Sequence, residues 1–560
     1  MKPTTDNQPN TGRSHTLLTI LTICAGCVIG FSGVNLGLPG PGDESYQALC
    51  VADYRNNPLG MLAFFIGHLW QNLWGDTVLS LRCLASLEML MAVGIAGLYL
   101  WRRTGRALMS AAVFTFCILV ARATAFQLYN WDSGSYLFDA VALVAVASFL
   151  RGGDPRKAIV AGVAVACMAL ARVPSAVFAP VVFGFIWAGC RRHGFSTRHT
   201  SLVLGAYTAA VLASALILVT LMCGSPAEYI ASFRPENLVG GHSPSDLPDW
   251  IKRIGELGYN QMVWITPSAV AVAAGLLLHR LQSGHRWLRA MAVIFTVALT
   301  FVVYRHREAW CDFEWNSLGA DLPLTAFLLL LFPVWNLTHT RRADAPGAEL
   351  WWCAAMVVLM SFGSDTFFER MCGAFTLPVI IAAIWPQAPG AMLRLVRSVL
   401  MVSAAVFATV VAEQWVMKAR HNTAAPPERY EALRGLRVSP ADLRWLEINE
   451  TAARTARATG MRYVTCVNRF TPQLIFGRDN GPRLSIFHID STDPSQWPPE
   501  QTGAVAAAQM IIYNETMAAD APVFAHLRAL GFTDVLHRDD VHIFARHADT
   551  AAITPETDSL

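Results

Sequence analysis

Charge is what this sequence has least of. Only 15% of its 560 residues are Asp, Glu, Lys or Arg, while 54% are hydrophobic. Soluble domains usually carry about 25% charged residues. A deficit of that size excludes a disordered chain and a nucleic-acid-binding module, and it argues against an ordinary soluble enzyme. Patterned cysteine is lacking too. The twelve cysteines are scattered, mostly within apolar blocks, and form neither a disulfide framework nor a zinc ligand set. The formal net charge is only +3, so where the charges sit matters more than their sum. No internal repeat is found, which removes repeat architectures.

What is present is apolar length. Mean hydropathy is +0.38, and the apolar residues fall in blocks of about 17 to 23, the length that crosses a bilayer core. Thirteen spans are predicted, at 15–34, 77–100, 107–125, 135–150, 157–171, 174–190, 201–223, 261–279, 288–304, 321–338, 349–363, 373–386 and 391–413. The fifth and sixth are short and divided only by Arg172-Val173-Pro174. They read equally as two full spans or as a re-entrant pair.

Lys and Arg set the orientation, because basic loops stay cytoplasmic. With the N-terminus inside, the cytoplasmic connections hold Arg102, Arg103 and Arg106, then Arg151, Arg156 and Lys157, then Arg191, Arg192 and Arg198. Further along they hold Arg280, Arg286 and Arg289, then Arg341 and Arg342, then Arg394 and Arg397. The opposite loops hold fewer. An odd number of spans then places the C-terminus outside. The first span resembles a signal peptide but lacks a convincing A-x-A site, so it reads as an uncleaved anchor.

Residues 1–413 are therefore expected to form a transmembrane domain, and residues 414–560, which are polar, a second domain outside the membrane. Pro426-Pro427 marks a linker. Residues 438–459 read as a helix with Ser439 as N-cap and Gly460 as its stop. Tyr463–Val467, Met510–Tyr513 and Val541–Phe544 read as strands, and Val523–Leu530 as a helix ending at Gly531. The expected fold class is a multi-spanning α-helical membrane protein with a small C-terminal α/β extracytoplasmic domain.

The outer side collects an unusual polar set. The first outer loop, about 35–76, opens on Gly and Pro, which end a helix, and continues Asp43-Glu44-Ser45-Tyr46. Pro58 then begins an apolar segment, Leu59–Trp74, interrupted by His68, Gln71 and Asn72, as expected of a helix lying in the membrane interface. Asp132 follows in the next outer loop and Arg172 at the end of the fifth span. Later come Arg305-His306-Arg307-Glu308, Asp365 and Arg370, while Arg82 lies inside the second span. A charge at that depth costs at least about 2.5–3.5 kcal/mol and usually pairs or lines a polar cavity. Carboxylates can activate a nucleophile or hold a metal. Guanidinium groups match phosphate oxygens. Together at an interface they suit a substrate with a phosphate headgroup in water and a tail in lipid.

Each residue alone has an ordinary explanation. Asp43-Glu44 reads also as a solvated pair and Arg82 as a snorkelling side chain. Arg305–Glu314 reads as a surface ion-pair loop, His68 as an interfacial filler, Asp132 as a loop residue and Asp365 as a helix cap. Their gathering on one side is what weighs against all of these at once.

The stretch Gly42-Asp43-Glu44-Ser45-Tyr46, then Asn57-Pro58-Leu59-Gly60, Trp74-Gly75-Asp76 and Leu81-Arg82 resembles the first-loop region of bacterial GT-C glycosyltransferases. Those include aminoarabinose transferases and protein mannosyltransferase-like enzymes. Arg82-Cys83-Leu84 departs slightly from the family's Arg-Leu, and Arg172 stands where Lys is common. The resemblance is best over the first ~190 residues; beyond residue 200 only topology aligns. It implies transfer of a sugar from a polyprenyl-phosphate donor to a lipid, glycan or protein acceptor. The reaction would take place at the periplasmic face of a bacterial inner membrane. It implies Asp43 as the catalytic carboxylate, Glu44 as its neighbour and Asp132 as a second acidic residue. Arg82, Arg172, Arg307 and Arg370 would bind the donor phosphate, with Tyr46, His68, His306 and Asp365 as further candidates. A divalent metal is compatible with this set, although no His/Glu spacing establishes one.

Two other classes compete. A transporter or flippase for a lipid-linked or anionic solute would use the charges as a pathway, but it usually shows paired halves and charges at mid-depth. An envelope scaffold would use the C-terminal domain as its binding part.

Overall fold

The computed structural model describes residues 11–39, 43–124, 129–233, 272–277, 279–280, 322–339, 347–360, 373–386, 388–458, 464–467, 471–476, 485–486, 494–496, 502, 505–506, 508–514, 522–538 and 541–546. Over the N-terminal part the helices run α1 (Thr11–Phe31), α2 (Asp43–Ala52), α3 (Met61–Trp74), α4 (Val78–Thr104), α5 (Ala107–Thr124), α6 (Ser133–Gly152) and α7 (Pro155–Ala171). They continue as α8 (Phe178–Arg192), α9 (Thr197–Cys223), α10 (Pro226–Ala231), α11 (Leu322–His339), α12 (Ala348–Met360), α13 (Gly373–Ile384) and α14 (Gly390–His421).

Local chemistry sets their ends. The Thr77 side chain accepts from Ser80 N to cap α4, and Asp154 accepts from Arg156 N ahead of Pro155 in α7. Gly105 and Gly153, both at φ +68°, end α4 and α6 in the left-handed conformation that disfavours other residues. Six segments among the described residues are long and apolar enough to cross a membrane: Ser14–Phe31, α4, α6, Val173–Arg192, α9 and α14. Shorter apolar helices accompany them over Ala107–Arg122, Ala348–Met360 and Ala374–Ile384. The chain is a multi-pass helical membrane protein. The predicted spans at 261–279 and 288–304 fall mostly or wholly outside the described residues.

Helix contacts use small residues where backbones approach closely. A Cβ on Gly26 of α1 would stand 2.8 Å from the Phe114 ring, and one on Gly134 of α6 2.5 Å from the Ala63 Cβ of α3. The outward faces are apolar: Leu17, Leu18, Ile20 and Leu21 on α1, and Leu212, Leu216, Ile217 and Leu221 on α9. Such faces suit lipid. Cys24 and Cys27 of α1 stand at a Cys-x-x-Cys spacing, and both are free thiols. The α3 helix has 14 residues, about 21 Å at 1.5 Å per residue, too short to span. It buries Met61, Leu62, Phe64 and Gln71 and exposes Leu73 and Trp74, the two-faced pattern of an interfacial helix.

α14 runs unbroken past residue 413 to His421. Beyond it come α15 (Pro440–Ala458), β1 (Val464–Val467), α16 (Thr471–Phe476), β2 (Ser485–Ile486), β3 (Met510–Asn514), α17 (Pro522–Ala529), β4 (Phe532–Arg538) and β5 (Val541–Arg546). The strands form one mixed sheet in the order β2-β1-β3-β5-β4. β1 pairs parallel with β2 and β3, and β5 pairs antiparallel with β3 and β4. Ser439 caps α15 reciprocally: Asp442 N donates to its Oγ at 3.0 Å, and Ser439 N donates to Asp442 Oδ2 at 3.1 Å.

This domain grips the first loop. Gly37 N donates to Arg437 O at 2.8 Å, and Arg437 N donates to Asn35 O at 2.7 Å. The Ser45 and Thr471 hydroxyls meet at 3.0 Å. Leu49 and Val51 of α2 share one core with Leu433 and Trp445.

Candidate active site at one end of the helix bundle

α1 ends at Phe31, and the chain over 32–39 turns back with carbonyl groups that no helix satisfies. Arg82, near the start of α4, collects them. Its Nη1 donates to Val34 O, Leu36 O and Gly37 O at 3.3, 3.2 and 3.1 Å, and its Nη2 to Leu38 O at 3.3 Å. The other edge of the fork takes Glu44, with Nε to Oε1 at 2.6 Å and Nη2 to Oε2 at 2.9 Å. Bidentate geometry of this kind is the strong form of the pair. Arg82 is 5% exposed, so this cation does not snorkel; it is buried because protein oxygens surround it. Asp43 opens α2 beside Glu44. The Asp43 side chain lies outside the described residues.

A second buried pair joins α6 to α7. The turn before α6 is closed by Asn130, whose N donates to Ser133 Oγ at 2.9 Å, while Ser133 N donates to Asn130 Oδ1 at 2.7 Å. Asp132, at the N-cap of α6, makes no side-chain capping bond. Its carboxylate instead meets Arg172 Nε at 3.0 Å. Arg172 sits in extended backbone where α7 gives way to a short 3-10 turn, Val173–Val177. The two residues are 8% and 4% exposed.

Sequence reasoning passed over two acids here. Asp139, in α6, is 1% exposed, and the Arg172 charge acts on it. The Ser135 hydroxyl lies 2.9 Å from Asp139 Oδ2, and Asp139 Oδ1 has no hydrogen-bond partner among the described residues. Glu88 is buried in α4, and its Oε2 likewise has no partner among the described residues. Both stand inside apolar runs, and an acid within such a run was the signal available.

A cleft is lined by residues close in sequence to both pairs, although none of the four paired residues lines it. Ala85 and Ser86, one turn after Arg82, form part of its wall, as does Ser133, next to Asp132. Arg122 of α5 and Tyr136 of α6 also line it. The starts of α4 and α6 and the end of α5 are therefore at the same end of the bundle.

The remaining candidates divide. Tyr46 is half-buried against the core shared by α2 and the C-terminal domain. The His68 ring centroid stands 5.2 Å from that of Tyr54, an aromatic neighbour. His306, Arg307, Asp365 and Arg370 lie outside the described residues. Among the described residues, no group of three or more His, Cys, Asp or Glu is placed to hold a metal.

No family model matches the chain, and no curated protein matches it. Solved structures do. One is the apo crystal structure of ArnT from Cupriavidus metallidurans, at TM-score 0.45 and 14% identity over 97% of this chain and 99% of that one. The same protein bound to undecaprenyl phosphate scores 0.41 at the same identity and coverage. The archaeal oligosaccharyltransferase AglB from Archaeoglobus fulgidus, in complex with an inhibitory peptide and a dolichol-phosphate, scores 0.46 at 9% identity. It covers 90% of this chain and 70% of that one.

Proposed function

We propose that this chain is an integral-membrane glycosyltransferase that moves a sugar from a polyprenyl-phosphate donor to an acceptor on the periplasmic side of the inner membrane. The observation that carries the reading is the pair of buried guanidinium–carboxylate bridges, Arg82–Glu44 and Arg172–Asp132, held within an apolar helix bundle. Charge is costly there and is retained where it serves a site.

In the proposed reaction the acceptor hydroxyl oxygen attacks the anomeric carbon of the donor sugar. The bond from that carbon to the phosphate oxygen breaks, and polyprenyl phosphate leaves with the electron pair. The hydroxyl proton passes to the Asp43 carboxylate, the general base. Glu44, locked to Arg82, fixes the start of α2 and so the position of Asp43. Arg172, with Arg307 and Arg370 from later loops, supplies positive charge to the departing phosphate, and Asp132 holds Arg172 in place. Stabilising that leaving charge is where the largest rate contribution is expected.

The test is transfer from a polyprenyl-phosphate sugar by the full chain in proteoliposomes. Asp43→Asn is expected to lower turnover by about 100-fold or more, the usual scale of a general base, while expression and insertion persist. Full activity in that variant would remove Asp43 from the role. Arg172→Ala is expected to weaken donor use more than acceptor use; equal effects on both would count against a phosphate role.

A further inference from the structure

Ser135 ties the first turn of α6 twice over. Its N donates to Asp132 O at 3.0 Å, and its Oγ lies 2.8 Å from the same carbonyl. One helical turn further on, that Oγ also lies 2.9 Å from Asp139 Oδ2. Oxygens this close need a proton between them at each contact. A hydroxyl has one proton to give, and a carbonyl has none. The second proton therefore sits on Asp139. Its carboxyl group donates to Ser135 Oγ, and Ser135 donates to Asp132 O.

The surroundings agree with a neutral acid. Asp139 is 1% exposed, and its Oδ1 is buried with no hydrogen-bond partner among the described residues. Ala140, Ala142 and Leu143, which follow it in α6, are fully buried apolar side chains. A charged carboxylate is buried at tolerable cost when several donors surround it. A neutral carboxyl group needs one acceptor for its proton, and Ser135 Oγ is that acceptor.

The residue held by this clamp is Asp132. Its carboxylate makes no capping bond in α6 and instead reaches Arg172 Nε at 3.0 Å, where α7 ends. Its carbonyl is tied by both donors of Ser135. Loss of the Asp139 proton would turn the Ser135 hydroxyl toward the new anion, the stronger acceptor, and leave the Asp132 carbonyl with the backbone donor of Ser135 alone.

We infer that Asp139, in its neutral, proton-bearing form, is a positioning residue: through Ser135 it fixes the turn from which Asp132 presents Arg172, given Arg172 as the group that meets the departing phosphate in the reaction proposed above. The proton and the clamp belong to the resting chain, so both are testable without substrate.

Infrared absorption of the full chain in proteoliposomes is expected to show a protonated-carboxyl stretch that Asp139→Asn removes. Hydrogen exchange at residues 133–136 is expected to rise in Asp139→Ala and in Ser135→Ala. It is expected to stay at the original level in Asp139→Asn, whose amide N–H can donate to Ser135 Oγ without charge. In transfer assays, Asp139→Ala is expected to lower kcat/KM for the polyprenyl-phosphate sugar by about tenfold, with the acceptor KM unchanged, and Asp139→Asn to restore it. Ser135→Ala carries the same expectation if Asp139→Ala fails to fold. An infrared spectrum that Asp139→Asn leaves unchanged, or an Asn variant as impaired as the Ala variant, overturns the neutral acid. Unchanged donor kcat/KM in an Asp139→Ala chain whose exchange has risen overturns the positioning role. A chain that passes both substrate-free measurements yet transfers no sugar sinks the transferase reading and leaves the protonated clamp standing.

Discussion

Arg172 and Asp132 are both buried, so removing one partner leaves the other charge without compensation. Truncating a buried pair typically costs about 3–5 kcal/mol, whereas removing both charges costs much less than the sum. Arg172→Gln and Asp132→Asn are each expected to lower the thermal unfolding midpoint in detergent, and the double variant to recover much of the loss. Strict additivity would show that the two side chains do not depend on one another. Arg82→Gln acts differently, because four loop carbonyls lose their donor along with Glu44. Hydrogen exchange is expected to rise across residues 34–38 and the first turn of α2. Unchanged protection there would show that the loop is held by something else.

At the scale of elements, α6 approaches α3 closely at Gly134. A Cβ at Gly134 would stand 2.5 Å from Ala63 Cβ and 3.1 Å from Ala63 Cα, which is backbone and cannot swing aside. Overpacking of this kind costs about 1–3 kcal/mol. Gly134→Ala is expected to lower the unfolding midpoint, and Gly184→Ala, where a Cβ meets nothing within 4 Å, to leave it unchanged. Equal effects would show that the contact is not tight. Helices of this kind were legible beforehand, because an apolar run of bilayer length has few alternatives. α4, predicted at 77–100, runs Val78–Thr104, and α9, predicted at 201–223, runs Thr197–Cys223. The strand β4, Phe532–Arg538, was not legible. Asp534, His537 and Arg538 break its apolar pattern, and only pairing with β5 makes it a strand. Charges could be assigned to a side of the membrane, but not to partners. That Arg82 would face Glu44 and the loop carbonyls, and Arg172 would face Asp132, depends on contacts between elements distant in sequence.

At the scale of the whole molecule, the first loop is held from two sides, by α4 through Arg82 and by the C-terminal domain through Arg437 and Thr471. Leu433 is fully buried in the core that joins that domain to α2. Leu433→Ala is expected to cost about 2–5 kcal/mol and to reduce sugar transfer by loosening α2, although Leu433 follows the last bundle helix in sequence. A stability loss with transfer unchanged would separate the domain from the site. The backbone bonds between the first loop and Arg437 also require both segments to share one side of the membrane. In a cysteine-depleted background, Asp53→Cys and Ala424→Cys are expected to react with a membrane-impermeant thiol reagent from the same side, and Arg102→Cys from the other. Labelling of Ala424→Cys together with Arg102→Cys would break the topology.

The central claim is that acidic and guanidinium groups drawn from α2, α4, α6 and α7 serve one lipid-phosphate site at one end of the bundle. Photo-crosslinking tests it most directly. A polyprenyl phosphate carrying a diazirine beside the headgroup would be irradiated with the full chain in proteoliposomes, and the labelled peptides mapped. The account predicts adducts in the first turns of α4 and α6, the last turn of α5 and the junction after α7. Adducts at mid-bundle, or at the opposite end around Arg102 and Arg151, would contradict it.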